Sequence, residues 1–210
     1  MKILSIETSG AVCGVALSVG DKVISEINSY AGQEHDRLLA TFVQRLLSDA
    51  SLNVEQLDAV AVSAGPGSFT GLRIGGATAK SLCFGGLPKL ISVPTADALA
   101  FHCSKYAQKY SDILVSIKSH KDLVYFRKYD KFANPLSDIA FDSLDRLKES
   151  VGADTFFAGT GFEPLGIESH FANGIVANFI AEYAIELFKN GQFIDPSEFT
   201  PLYIQEFQPK

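Results

Sequence analysis

Three short β-prone runs open the chain with no helical segment between them: Lys2-Ile-Leu-Ser-Ile-Glu7, Gly14-Val-Ala-Leu-Ser-Val19 and Lys22-Val-Ile-Ser-Glu-Ile27. Gly20-Asp21 between the second and third is a two-residue hairpin signal. The runs therefore predict an antiparallel meander, and a meander needs a cover for its apolar face. The next segment supplies one. From His35 to Ala50, Leu38, Leu39, Phe42, Val43, Leu46 and Leu47 form a two-wide stripe repeating every four residues, which is one face of a helix. Leu57–Ser63 is continuously small and β-branched, as suits a parallel strand covered on both faces. A second helix runs from about Phe69 to Phe84 and a strand from Leu90 to Val93. Pro94 ends that strand, and Thr95 or Asp97 is placed to cap a helix reaching about Tyr106.

The order βββαβαβα is that of the ribonuclease H-like fold, which the actin/hexokinase-type ATPases duplicate. The second half begins in the same way. Asp112–Ile117 and Leu123–Tyr129 read as a strand pair, and residues 139–151 as a weak strand and a short helix. Thr155–Ala158 reads as a strand entering a Gly-Thr-Gly turn, and Ala177–Lys189 as a helix stopped by Gly191. The expected fold class is α/β with two ribonuclease H-like (ASKHA) lobes: residues 1–108, and a smaller, degenerate copy over 109–210. The joint is expected near Ala107–Ser111, with the helix at about 177–190 packing back on the first lobe.

At 210 residues and 47% hydrophobic content, such a chain can bury a core without staples. Its net charge of -6 argues against an autonomous nucleic-acid binder. Cys13, Cys83 and Cys103 are widely spaced with no CxxC pair, and read as small core residues in a reducing compartment. Met-Lys leads at once into a strand-like run instead of a targeting segment, and no apolar stretch approaches the ~20 residues of a membrane span. A soluble cytoplasmic protein is expected.

Residues 63–82, S-A-G-P-G-S-F-T-G-L-R-I-G-G-A-T-A-K-S-L, invite a phosphate-binding reading and do not sustain it. No Gly-Lys-Ser/Thr follows the turn, and Thr70 stands where GxGxxG needs its third glycine. As a nucleophile elbow the stretch fails on both sides of Ser68, at Pro66 and Thr70, so Ser68 reads as a helix cap. Gly75 and Gly76 lie inside the helix, where each costs roughly 1 kcal/mol against alanine. Gly71, Gly75, Ala79 and Cys83 recur every four residues and make a line along which another backbone can come close. That backbone belongs either to the protein's own sheet or to another subunit. The wide stripe of the first helix favours a surface for a partner. Among His35, His102, His120 and His170 there is no HxxxH or HExxH pair, so His35 reads as an exposed residue at a helix start. Glu7-Thr8-Ser9, at the end of the first strand, reads first as a solvated turn.

Ile6-Glu-Thr-Ser9 with Gly14-Val-Ala-Leu17, Glu34-His35 opening a leucine-rich helix, and AGPGSFTGLRIG over Ala64–Gly75 together resemble the bacterial TsaB (YeaZ) family. The likeness is strong over about the first 95 residues. It continues weakly to Thr200-Pro-Leu-Tyr-Ile204. The resemblance implies a catalytically silent relative of TsaD that takes part in making N6-threonylcarbamoyladenosine at position 37 of ANN-decoding tRNAs. Implied partners are a TsaD-like subunit, a TsaE-like ATPase through the complex, and a second copy of the chain. tRNA is expected only through the complex. No cofactor is expected on this chain; ATP and a metal ion are expected on partner subunits. A TsaC-type enzyme would supply threonylcarbamoyl-AMP. TsaD-like proteins carry HxxxH on the helix that here has His35 and then Leu39.

The expected subunit interface comprises His35, Leu38, Leu39, Phe42 and Leu46 on the first helix, with Phe69, Gly71, Leu72, Gly75, Gly76 and Ala79 on the second. The resemblance also implies that Glu7, Thr8 and Ser9 are a degenerate remnant of a nucleotide site. The family departs here at Lys118-Ser-His120, where relatives have Asp-Ala-Arg, at Ala40, and at Gln205. The alternative is an M22-type (glycoprotease-like) metallopeptidase or a stand-alone ATPase.

Overall fold

The structure is a computed structural model and describes residues 1–30, 32, 34–86, 88–171 and 174–202. The tail element at Tyr203–Gln205 lies outside the described residues. Three strands come first: β1 (Lys2–Glu7), β2 (Cys13–Val19) and β3 (Lys22–Ser29). They are followed by α1 (His35–Asp49), β4 (Ala59–Gly65), α2 (Phe69–Leu82), β5 (Lys89–Pro94) and α3 (Thr95–Ser104). The second half holds β6 (Asp112–Lys118), β7 (Leu123–Asp130), β8 (Ala140–Ser143), α4 (Leu144–Glu149), β9 (Thr155–Gly159) and α5 (Ala177–Lys189). The fold is mixed α/β with two sheets.

The first sheet has the order β3-β2-β1-β4-β5. β1 is its hinge of direction, antiparallel to β2 and parallel to β4. The second sheet has the order β8-β7-β6-β9, with β6 antiparallel to β7 and parallel to β9. The strand order of the first sheet, less β5, thus recurs. Leu4, Ile6, Val15, Leu17, Val60 and Val62 face α1 and α2, where Leu39, Val43, Leu46 and Leu47 pack on them. The other face of the first sheet meets α5 and α3. Ile3, Ala61 and Ile91 from the first sheet share one buried cluster with Ile113, Val115 and Phe156 from the second, and with Leu99 and Ile180 from the helices between. The two sheets are therefore joined by a common core in which α3 and α5 are the middle layer.

Neither Thr95 nor Asp97 caps α3. Thr95 Oγ1 instead accepts from Gly65 N at 3.0 Å, which ties α3 to the end of β4. Asp97 Oδ1 accepts from Tyr129 OH at 2.6 Å and Arg127 Nη1 at 3.0 Å. Two donors from β7 outcompete a local backbone N–H, and the second sheet is thereby pinned to α3. Across the middle layer, Glu182 Oε2 lies 2.7 Å from both His102 Nδ1 and Lys105 Nζ. Burial alone would raise that carboxyl, but the hydrogen bonds from His102 and Lys105 outweigh it and hold the group down to about 2. The three cysteines are buried and free, as their composition suggested. Burial pushes Cys13 and Cys83 up to about 11 and Cys103 up to about 12, so all stay protonated core groups at neutral pH.

Candidate functional site

β1 is apolar and central, so its last residues are carried into the interior. Glu7, Thr8 and Ser9 are buried, not solvated as a turn reading of the sequence implied. Glu7 Oε1 accepts from Ser9 N and from Ser9 Oγ, each at 2.6 Å. Thr8 N donates to Ser63 Oγ at 3.2 Å, and Ser68 N donates to Ser9 O at 2.7 Å. Glu7 Oε2 and Thr8 Oγ1 are buried without a hydrogen-bond partner. Burial drives the Glu7 carboxyl up to about 7 from 4.5, with the Ser9 and Ser63 hydrogen bonds pulling weakly the other way.

The turn after β4 and the start of α2 close over this strand end. Gly65 takes φ +102, a conformation that only glycine adopts cheaply. Ser68 caps α2 by accepting from Gly71 N at 3.2 Å, as read from the sequence. A Cβ on Gly71 would overlap the Thr8 carbonyl oxygen, one on Gly75 would overlap Thr8 Oγ1, and one on Gly67 would overlap the Ser9 carbonyl oxygen. The glycine line therefore admits the chain's own β1 turn. A Cβ on Gly76 would come 2.6 Å from Phe199 Cε1, so the neighbouring gap is filled by the chain near its end. Leu202 N closes the same region by donating to Ala64 O at 2.7 Å.

Most residues expected at a subunit interface lie inside the chain's own fold. Gly71, Leu72, Gly75, Gly76 and Ala79 are buried in the chain's own fold, and so are His35, Leu39 and Leu46. His35 is not an exposed helix-start residue. Its Nε2 lies 3.2 Å from Val12 O and fixes α1 to the loop after β1. Leu38, Phe42 and Phe69 remain half-buried and reach the surface. The backbone of α2 packs directly on the Glu7-Thr8-Ser9 turn, through Gly67, Gly71 and Gly75.

The outward face of α1 and α2 is a different surface. Arg73 stacks over the Phe69 ring, 3.9 Å from its centroid. A groove of about 570 Å³ between α1, the chain that follows it and the second half of α2 is lined by Val43, Leu47, Leu52, Val54, Thr78 and Leu82. Just past α2, Phe84 is 91% exposed. The stripe in α1 announced this face in the sequence. Phe84 carried no signal beyond its position before Gly85-Gly86, and Leu52 and Val54 are brought to the groove by the chain that leaves α1.

At the matching place in the second sheet, β9 ends at Gly159 with φ +100, and a Cβ there would overlap the Ser116 carbonyl oxygen. Thr160 N donates to Ser116 O at 2.8 Å, and Lys118 N to Thr160 Oγ1 at 2.9 Å. Lys118 and His120 point to solvent. Among the described residues no group of three or more His, Cys, Asp or Glu is arranged to hold a metal ion, and no helix is long and apolar enough to cross a membrane.

Residues 22–187 match the family model described as "TsaD: tRNA N6-adenosine threonylcarbamoyltransferase". A Haemophilus influenzae protein named tRNA threonylcarbamoyladenosine biosynthesis protein TsaB is 32% identical over 60% of this chain. That match spans about half of the relative's length, 52%. The Escherichia coli protein of the same name is 25% identical over 98% of this chain and 95% of its own. The solved structure "YeaZ from Pseudomonas aeruginosa" superposes with a TM-score of 0.82 at 23% identity, covering 97% of this chain and 99% of that one. A second structure, described as similar to peptidase YeaZ from Pseudomonas aeruginosa, gives 0.85 over the same shares.

Proposed function

The chain belongs to the TsaD family and, within it, to the TsaB/YeaZ group, and from that premise we propose that it is a non-catalytic partner subunit in the formation of N6-threonylcarbamoyladenosine on tRNA. The two sheets are read as ribonuclease H-like lobes of the ASKHA type, the second degenerate. The observation that carries the proposal is the filled strand end. Where a catalytic relative would need room for nucleotide and metal, α2 lies on the Glu7-Thr8-Ser9 turn and Phe199 fills the gap beside Gly76. ATP and a metal ion then belong to the partner subunits, and this chain needs no cofactor of its own.

The working surface is the outer face of α1 and α2, with Leu38, Phe42, Phe69 and the groove between the helices. A TsaD-like subunit takes this face, and a second copy of the chain takes it when that subunit is absent. A TsaE-like ATPase joins the assembled pair. Apolar side chains on a rigid, self-packed helix pair suit such an interface, because little ordering is needed on binding.

Reconstitution tests this reading. Modification of tRNA by a TsaD-like subunit, a TsaE-like ATPase and threonylcarbamoyl-AMP should require the chain, and the double substitution Leu38→Asp/Phe42→Asp should abolish both co-purification with the TsaD-like subunit and the modification. Full modification without the chain would overturn the role. Tight stoichiometric binding of metal or ATP by the chain alone would favour an M22-type peptidase or a stand-alone ATPase.

A further inference from the structure

Among the described residues Phe84 is the most exposed large apolar side chain, at 91%. Its backbone is nonetheless fixed. Cys83 N donates to Ala79 O at 3.0 Å and Phe84 N to Ser81 O at 3.3 Å, so the ring stands on the last turn of α2. The next two residues give it no cover. Gly85 and Gly86 take φ +93 and +91, which only glycine adopts cheaply, and a Cβ on either would meet nothing within 4 Å. Two consecutive glycines thus turn the chain away and leave an aromatic ring in water, which is unfavourable for a side chain of this size.

The same end of the helix pair carries the groove. Leu82, two residues before Phe84, forms one wall, with Val43 and Leu47 from α1 and Leu52 and Val54 from the chain after it. Leu52, Val54 and Leu82 are only half-buried, and the polar Ser48, Asn53 and Glu55 stand exposed at the rim. An apolar floor inside a polar rim is the make-up of an interface core. At about 570 Å³ the groove is several times the ~150 Å³ in which an apolar cavity takes up a benzene ring. Phe84 does not fill the groove of its own chain, since at 91% exposure it touches almost nothing there.

A ring and a groove on one surface, neither satisfied within the chain that carries them, are what a two-fold axis needs in order to close, because each contact then occurs twice. We propose that Phe84 of one copy enters the groove of a second copy, and the second copy's ring enters the first, so that this end of α1 and α2 is a self-pairing lock. Two such rings bury about 300–500 Å². The groove walls they cover add a comparable area, and half-buried Leu38 and Phe42 along α1 extend the contact toward the ~1,200 Å² at which specific interfaces begin. The proposal rests on the reading above, in which a second copy and a TsaD-like subunit use the same helix pair, and it separates the two: self-pairing depends on Phe84, and the hold on the TsaD-like subunit does not.

Sedimentation equilibrium of the full chain tests the lock with two surface variants. Phe84→Asp removes the ring and keeps the groove. Ser48→Arg keeps the ring and sets a long charged side chain at the groove rim. Each should weaken self-association at least about a hundredfold while leaving the circular dichroism spectrum unchanged. In an equimolar mixture, each mixed pair has one ring facing one open groove, so the mixture should associate about tenfold or more tightly than either variant alone. Phe84→Asp should retain the TsaD-like subunit on co-purification, whereas Leu38→Asp/Phe42→Asp loses it, so that failure of the lock and failure of the assigned role are read separately. The proposal is overturned if the wild-type chain is monomeric at about 100 μM. It is equally overturned if Phe84→Asp pairs as tightly as wild type, if the mixture associates no better than its components, or if Phe84→Asp loses the TsaD-like subunit as well.

Discussion

The two sheets share the order of their first four strands and differ in how the central strand is closed. In the first, β4 leads through Gly65 into a full helix, and α2 lies down on the Glu7-Thr8-Ser9 turn. In the second, β9 leaves through Gly159 at nearly the same φ, but the next turn is a 3-10 turn at Glu163–Leu165. Lys118 and His120 at the corresponding strand end therefore stay in solvent. One topology thus produces a sealed strand end or an open one, and the crossover helix decides which. A sealed end can hold an unpaired carboxylate oxygen; an open one tolerates a lysine.

The largest effect should come from breaking the seal. Gly75→Leu forces a branched side chain into Thr8, with β1 on the far side and no room to repack. A loss of roughly 3 kcal/mol or more is expected in denaturant unfolding. An unchanged midpoint would show that α2 is free to lift. The substitution is accordingly a test of the fold and not of partner binding, which the spacing of the glycines alone would have suggested.

Next in size is the buried carboxyl. The folded state raises Glu7 from 4.5 to about 7, so it favours the protonated form. The stability tied to this proton is fully present below pH 4.5, declines as pH rises toward 7, and is lost above that. Glu7→Gln should remove this slope and raise stability at pH 8 by roughly 2 kcal/mol. Equal pH profiles for the two proteins, followed by chemical denaturation, would rule out a buried proton here.

The smallest effect belongs to the open end. Lys118→Asp should change stability by no more than about 0.5 kcal/mol, because the side chain is exposed and makes no ion pair among the described residues. A larger loss would mean that the second strand end is also sealed.

Most of the elements were legible because their periodicities are strong. The α1 stripe, the apolar run of β4 and the α5 pattern each fall within a residue or two of the observed bounds. The candidate site was less so, and the reason is the range of its contacts. A line of small residues in α2 announces that something comes close without saying what. The answer, Thr8, lies more than sixty residues away along the chain, and Phe199 lies beyond a whole second sheet. Thr95 and Asp97 were legible as cap formers only until Gly65, Arg127 and Tyr129 claimed their oxygens. His35 looked solvent-bound because its acceptor, Val12 O, belongs to a loop that precedes it.

The position of α5 has a consequence for synthesis. This helix covers the rear of the first sheet, yet it is encoded after the whole of the second. When β5 leaves the ribosome, Ile3, Ala61 and Ile91 have no lid, and at a typical elongation rate of about 5–20 residues per second the lid follows some ~5–20 s later. For that interval the nascent chain is a client for chaperones, and a ribosome stalled between the codons for Pro94 and Ala177 would release a fragment whose first sheet has all its strands but lacks the α5 part of its cover.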